Sequence, residues 1–295
     1  MKRVLTVLVL VMVLLPLAVF ANEDVVKPVV PDDKVSPEEV KEQMMKEDKA
    51  KGIGEKKENE KKPMEEKKEE PVEKEIVKKE DPNKEYEKRI LKWDDRENLK
   101  LLYFELKNKK DKTPNDYYYL AKTCYYLGKT SETEEDKLKY YEGGNEFAAE
   151  GLKIDDKHTD LLYIKAVNMG KIGETKGVMK SLFMVKPIKE LCQRILDVDK
   201  KYAGAYHILG VLNRKVPGLF GGDIKESIKQ LRKSCELEPE YSLHFIELAK
   251  SLEEKKKYDE AKKVLNNLIN GDFPKDRLEE KDNKEEAKEL LKELK

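Results

Sequence analysis

The chain has too few cysteines to build a cross-linked scaffold. It contains three in 295 residues, an odd number that is far below the content of disulfide-built domains. Packing must therefore hold the core together. Cys124, Cys192 and Cys235 all fall on predicted helices, so we expect them to be buried apolar residues rather than partners in a disulfide or reactive thiols.

An excess of charge of either sign is also absent. The chain has 61 basic residues (Lys and Arg) and 61 acidic residues (Asp and Glu). A nucleic-acid partner would require a net basic face. The composition therefore argues against nucleic-acid binding.

The sequence has only one long apolar run, and it lies at the N terminus. Met1-Lys2-Arg3 is followed by the run 4–20 and then by Ala21, which is the order of a secretory signal peptide. We expect residues 1–21 to be cleaved, although the run also has the minimum length for an uncleaved anchor. Cleavage would leave a periplasmic or secreted protein with no membrane span. No cysteine follows the cut, so a lipid anchor is not expected there.

Residues 22–85 lack aromatic side chains altogether and consist mainly of Lys and Glu with scattered Pro. Such a segment cannot bury enough apolar surface to offset the entropy lost on ordering. We therefore predict a disordered charged linker over 22–85.

The composition changes at Tyr86, where the predicted folded domain, 86–295, begins. Tyr86, Ile90, Trp93 and Leu101 recur at helical spacing with charged residues between them, and this pattern continues to the C terminus. No sustained alternation of apolar and polar residues predicts a strand. The fold class is therefore all-α.

Self-similarity near the C terminus identifies the kind of helical array. A shift of 34 residues aligns Ser227 with Ala261 and Leu231 with Leu265. This period is that of the tetratricopeptide repeat (TPR). Small residues such as Gly210 stand where the two helices of a unit meet closely. The pattern predicts units with helices near 206–210 and 227–234, and near 245–252 and 258–268.

Two earlier units are more degenerate and are expected to carry insertions between their helices. One pairs residues near 117–128 with 144–152, and the other pairs 162–169 with 188–196. Helices near 85–108 and 281–294 would cap the ends of the stack. The sequence thus predicts a short right-handed superhelical solenoid of about four helix pairs with capping helices.

Part of the array resembles two related kinds of divergent TPR protein. The similarity covers roughly 115–270 and is carried by residues 174–180 (ETKGVMK), 188–190 (IKE) and 202–210 (YAGAYHILG). These resemble the regulator of microtubule dynamics family and the T component associated with bacterial TRAP transporters. The resemblance implies a helical solenoid with an interaction role.

Residues arranged for catalysis or metal binding are scarce. His158, His207 and His244 share no metal-ligand spacing with each other or with cysteine, so no metal or cofactor is predicted. The glycine-rich segment 217–223 lacks a phosphate-binding Lys followed by Ser or Thr, and no strand precedes it. We expect it to be an inter-helix turn with Asp223 as the cap of the next helix. The chain is not expected to be an enzyme.

The predicted binding surface is the concave face, which the first helix of each unit lines in a TPR solenoid. This surface is mainly aromatic and aliphatic, which suits a protein or peptide partner or a small apolar ligand. Tyr118 and Tyr163 occupy positions where binding of a peptide's C-terminal carboxylate would require polar donors such as Lys and Asn. That mode of binding is therefore disfavoured. The candidate binding residues are Tyr118, Lys122, Tyr125, Tyr126, Tyr163, Val167, His207, Val211, Arg214, Ile246 and Lys250.

Two functions fit these features. The first is a non-catalytic scaffold of the cell envelope that binds partner proteins through the concave face. The alternative is a periplasmic accessory of a TRAP-type uptake system that holds a small apolar ligand between Tyr118, Tyr163 and His207.

Overall fold

The computed structural model describes residues 81–294. The predicted signal peptide, 1–21, and almost all of the predicted linker, 22–85, lie outside this range. The described residues form eleven α-helices and one short 3-10 turn, with no strand among them. The predicted all-α fold is confirmed.

The helices follow one another as antiparallel neighbours. In chain order they are α1 (Pro82–Ile90), α2 (Arg96–Asn108), α3 (Pro114–Lys129), α4 (Glu134–Ile154), α5 (Thr159–Lys176), α6 (Val178–Val198), α7 (Ala203–Lys215), α8 (Ile224–Leu237), α9 (Ser242–Glu254), α10 (Tyr258–Asn270) and α11 (Arg277–Glu293). Four pairs form the repeats: α3–α4, α5–α6, α7–α8 and α9–α10. Helices α1 and α2 precede them and α11 follows, as the predicted caps require.

Polar side chains fix where the helices begin. At α3, the Thr113 hydroxyl accepts a hydrogen bond from the Asp116 backbone N–H at 3.2 Å, and the Asp116 carboxylate accepts from the Thr113 backbone N–H at 2.8 Å. This reciprocal pair satisfies two donors at the start of the helix. Asp223 caps α8 by accepting from the backbone N–H of Lys225 at 2.7 Å, as the sequence predicted.

Small residues lie where the helices of a unit come close together. A Cβ atom at Gly210 would lie 2.5 Å from Cγ of Leu231, so α7 and α8 approach as predicted. Ala261 of α10, which the 34-residue period aligns with Ser227 of α8, has no exposed surface. The hydroxyls of Ser227 and Ser251 hydrogen-bond at 2.9 Å between α8 and α9.

The structure corrects the expectation that the first two units carry insertions between their helices. The extra residues instead lengthen α4 and α6, which have 21 residues each. Helices α5 and α6 are joined by Gly177 alone, with a φ of 90° that favours glycine. Residues 178–185 are predominantly apolar and continue the helical pattern, which explains why they extend α6 rather than form a loop.

The core is a chain of apolar clusters between neighbouring helices. Leu120 and Leu127 pack against α1 and α2, Ile188 and Ile195 pack in the middle, and Leu265 packs near the C terminus. All three cysteines are free, and they lie in or beside these clusters, as predicted. Within residues 81–294, no helix has both the length and the apolar character needed to cross a bilayer.

Candidate functional site

The concave side of the solenoid contains a chamber of about 500 Å³, which we call the concave chamber. Its wall comes from α1, from the first helices α3, α5, α7 and α9 with the residues just before them, and from residues 274–279. The volume lies in the range of pockets that hold small molecules or short segments of a partner. Helices distant in sequence thus build one site.

Aromatic rings form much of the chamber wall. Trp93 stacks on Tyr126 with ring centroids 5.7 Å apart and an interplanar angle of 13°, and Tyr163 lies 5.5 Å from Tyr202. The aromatic lining residues are Trp93, Tyr118, Tyr125, Tyr126, Tyr163, Tyr202 and Tyr241. Such rings offer apolar contact area, and each tyrosine adds one polar group.

Helix α1 lies against α3 and closes one side of the concave face. The Lys122 ammonium bonds Glu87 of α1 at 2.9 Å and lies 5.5 Å from the ring centroid of Tyr118. Tyr86 of α1 packs on Tyr119 with centroids 5.4 Å apart. The Glu87 side chain is 40% exposed, so water screens part of this ion pair.

The opposite end of the folded chain closes the other side. Lys129, at the end of α3, forms an ion pair with Glu279 of α11. The same ammonium lies 4.1 Å from the ring centroid of Trp93. A cation above an indole face is a favourable arrangement. Lys129 therefore connects α3 of the first repeat with α11 and with Trp93, which lies between α1 and α2.

Two histidines meet at the chamber wall. The Nδ1 atoms of His207 and His244 are 3.1 Å apart, so one ring donates a hydrogen bond and the other accepts it. Burial, and next the proximity of His244, lower the pKa of His207 to about 3. His207 is therefore neutral at physiological pH.

The chamber tyrosines are also neutral hydrogen-bonding groups. Burial raises the pKa of Tyr118, Tyr125 and Tyr126 well above the usual value of 10.0. Among the lining carboxylates, Asp160 accepts a hydrogen bond from the Tyr202 hydroxyl at 2.7 Å. Burial raises the pKa of Asp276, which accepts from the Ser242 hydroxyl at 2.7 Å. The site thus combines neutral tyrosine donors with charged side chains. The charged lining residues are Glu87, Lys122, Asp160, Asp199, Lys201, Glu238, Lys275, Asp276 and Glu279.

Most of the predicted binding residues come together in this chamber. Those that line it are Tyr118, Lys122, Tyr125, Tyr126, Tyr163, Val167 and His207. They come from three successive first helices, as the repeat geometry required.

The other four predicted residues lie away from the chamber, and the structure corrects the position of Ile246 most clearly. Ile246 has no exposed surface and belongs to the C-terminal cluster, because α11 packs against α9. Lys250 bonds Glu286 of α11 at 2.9 Å, and Arg214 pairs with Glu247. Val211 packs against the same cluster. Helix α11 thus covers Ile246 and pairs with Lys250, whereas Arg214 is held by α9.

Sequence analysis missed the contributions of α1, of residues 274–279, and of Tyr202 and Tyr241. Tyr202 and Tyr241 occupy the same place in two units, because each is the residue immediately before a first helix. That equivalence is visible in the sequence once the helix starts are known. The α1 and 274–279 contributions depend on long-range packing, for which the repeat pattern gives no signal.

No metal site accompanies the chamber in the part of the chain that the structure describes. No group of three or more His, Cys, Asp or Glu side chains there is arranged to hold a metal ion. The chamber's polar groups are suited to hydrogen bonding and ion pairing.

The stacked antiparallel helix pairs, with small residues at the close contacts and a site on the concave face, define a divergent TPR-like repeat protein. Residues 86–220 match the family model described as Regulator of microtubule dynamics protein 1-3. The chain is therefore similar to that family over its first repeats. No curated protein matches the sequence.

Two solved structures are similar to part of this chain. The TPR protein TTC0263 of Thermus thermophilus has 15% sequence identity and a TM-score of 0.52, and the match covers 70% of this chain and 98% of that one. MamA of Desulfovibrio magneticus RS-1 has 18% identity and a TM-score of 0.41, over 63% and 92% of the two chains. At 15% identity, the similarity to TTC0263 concerns the fold alone.

Proposed function

We propose that the protein is a non-catalytic binding module of the cell envelope that holds a segment of a partner protein in the concave chamber. The observation that carries this proposal is the convergence of tyrosines from successive units on one chamber. Tyr118, Tyr163 and Tyr202 come from α3, from α5 and from the start of α7. Large, rigid aromatic side chains at the centre of a contact typically contribute most to binding.

The groups in the chamber suit binding better than catalysis. The tyrosine hydroxyls stay protonated, so they donate hydrogen bonds without transferring protons at neutral pH. The pKa of about 3 makes His207 a weak base, far from the value near 7 that general-base catalysis favours. A partner backbone, with its many carbonyl acceptors, would match these donors.

The envelope location rests on the N-terminal sequence. The basic start, the apolar run 4–20 and the small residue Ala21 support export from the cytoplasm. This segment lies outside the described residues, so its cleavage and destination are part of the proposal.

The contribution of both ends of the folded domain favours a second candidate, a small apolar ligand. Residues of α1 and of the start of α11 both line the chamber, whose volume of about 500 Å³ suits a small molecule. The similarity to TRAP T components suggests, for this candidate, an accessory role in solute uptake. The two candidates differ in what occupies the same chamber.

Photocrosslinking from the chamber separates these candidates. Benzoylphenylalanine would replace Tyr118 in the full chain, with Tyr258 replaced as the matched control. Tyr258 is 41% exposed on α10 and does not line the chamber. We expect irradiation in envelope extract to give one protein adduct of higher mass from position 118 and none from position 258.

Each result has a distinct meaning. Equal adducts at both positions, or a protein adduct from position 258 alone, would contradict partner binding in the chamber. A small molecule of defined mass on the purified protein, seen by native mass spectrometry, together with no protein adduct, would replace the first candidate with the second.

A further inference from the structure

An apolar patch outside the chamber is the most exposed hydrophobic surface in the described structure. Leu219 is 90% exposed, Val178 76%, Phe183 72%, Met179 68% and Phe220 55%. Burying such side chains is normally favourable, so a group of them in water indicates an interaction site. We call these five residues the apolar corner.

The two segments of the apolar corner lie on the same edge of the solenoid, in its second and third helix pairs. Val178, Met179 and Phe183 belong to the first turns of α6, and Leu219 and Phe220 belong to the turn between α7 and α8. The Lys189 ammonium of α6 donates to the Gly221 carbonyl at 3.0 Å. At the ends of α5 and α7, Lys215 bonds Glu174 at 2.7 Å. Both inter-helix turns therefore face the same direction.

The turn carrying Leu219 has a fixed shape. Gly221 has a φ of 88°, and a Cβ atom at Gly222 would lie 1.7 Å from the Val216 carbonyl oxygen, so both positions require glycine. The Asp223 backbone N–H donates to the Asn213 carbonyl at 2.9 Å. The fold thus holds Leu219 and Phe220 in a protruding position.

Lysines surround the apolar corner. They are Lys176, Lys180, Lys186, Lys189 and Lys215, and the neighbouring turn between α9 and α10 adds the exposed residues 255–257, all lysine. The acidic residues of the same segments are Glu174, Glu190, Asp223, Glu226, Glu253 and Glu254. Lys176 pairs with Glu142 of α4 and Lys215 with Glu174, so part of the lysine charge is neutralised. Basic residues still outnumber acidic ones over residues 174–190, 213–226 and 253–257, which gives the surface around the corner a net positive charge.

We propose that the apolar corner docks on an anionic lipid bilayer. Phe, Leu and Met side chains would enter the interface between headgroups and acyl chains, while the lysines would meet anionic headgroups. Cores of protein–protein contacts are depleted in lysine, whereas protruding apolar turns ringed by lysine suit a deformable charged surface. This inference is independent of what occupies the concave chamber.

A fluorescent probe at the corner tests the proposal in the full chain. Leu219→Cys would carry an environment-sensitive dye, and Lys157→Cys, in the exposed turn between α4 and α5, would be the control. We expect the native cysteines to react little with the dye, because burial raises the pKa of Cys192 and Cys235 to about 12 and that of Cys124 higher still. The native chain, treated with the dye in the same way, gives the background. The dye reports only its own surroundings, so insertion of the N-terminal run elsewhere does not produce the signal.

We expect a blue shift at position 219, and none at position 157, when vesicles of phosphatidylcholine containing phosphatidylglycerol are added. Phosphatidylcholine alone should give a weaker shift, and added salt should reduce binding. Replacing both Phe183 and Phe220 with Ser should lower the vesicle affinity sensed at position 219 by about tenfold or more. Both rings are mostly exposed, so the fold should survive these substitutions.

Three outcomes would overturn the proposal. The first is no shift at position 219 with anionic vesicles. The second is an equal shift at both labelled positions. The third is a shift without lipid that grows with protein concentration and accompanies dimers in sedimentation, which would assign the corner to a second copy of the chain.

Discussion

Two helical glycines, Gly210 and Gly170, have different surroundings. A Cβ atom at Gly210 would overlap Leu231, whereas one at Gly170 of α5 would meet nothing within 4 Å. The same substitution should therefore have opposite effects at the two positions.

We predict that Gly210→Ala destabilises the protein by about 1–3 kcal/mol, because the added methyl group forces α7 and α8 apart. Gly170→Ala should stabilise it by about 0.5 kcal/mol or more, since alanine reduces the freedom of the unfolded chain and favours helix. Denaturant unfolding followed by circular dichroism measures both. Equal effects of the two substitutions would contradict the helix contact described at Gly210.

His207 should make stability depend on pH. Its pKa is lowered from 6.5 to about 3, so the unfolded chain binds a proton below pH 6.5 that the folded chain does not. The free energy of unfolding should therefore fall with decreasing pH, by at most about 1.4 kcal/mol per pH unit from this group. His207→Gln should remove this part of the slope.

Denaturation at several pH values between 6.5 and 5 provides the measurement, because the carboxylates ordinarily titrate below that window. The groups around His207 are His244, Glu247, Arg214 and Lys215. Identical slopes for the native chain and the Gln variant would mean that His207 is not desolvated as the structure indicates.

Tyr118 provides a test of partner binding in the concave chamber. We predict that Tyr118→Ala weakens capture of the partner by about tenfold or more, because truncating a central aromatic anchor usually costs about 2 kcal/mol. Tyr258→Ala is the control, since that ring lies outside the chamber. Calorimetry with the captured partner gives both affinities. Full affinity in the Tyr118 variant would move binding away from the chamber.

Local patterns in the sequence were sufficient to predict the helix pairs of the repeats, but not the contacts that the capping helices make. The register of α7 to α10 could be predicted because small residues recur at a period of 34 and apolar residues at helical spacing. The burial of Ile246 could not, because it depends on α11 packing against α9. A repeat pattern describes neighbouring units, whereas a capping helix can cover positions that the pattern leaves exposed.

The Lys129–Glu279 contact gives a test of closure by α11. Trp93 is the only tryptophan in the chain and lies directly beneath Lys129. We predict that Glu279→Gln increases acrylamide quenching of its fluorescence, because the loss of the ion pair loosens α11 over the chamber. Glu289→Gln, an exposed change on the same helix, should leave quenching unchanged. Identical quenching in both variants would show that the ion pair does not hold the chamber closed.

Amino-acid composition distinguishes the charged segment that precedes the domain, residues 22–80, from the helical array. We predict that limited proteolysis removes residues 22–80 first, because they lack aromatic residues and consist mainly of Lys and Glu, so they have few groups that could anchor them to the domain. Mass spectrometry should find a resistant fragment that begins near α1. A resistant fragment that retained residues 30–80 but lost part of the repeats would contradict this division.

The chamber has a consequence for how the protein is made. Its wall uses Trp93 near the start of the folded domain and Glu279 near the end, so no shorter piece of the chain contains a complete site. A ribosome must therefore synthesise almost the whole domain before the chamber can form. Chains released early, or cleaved between repeats, would retain helices but lack the complete site, so binding competence would distinguish finished molecules from fragments.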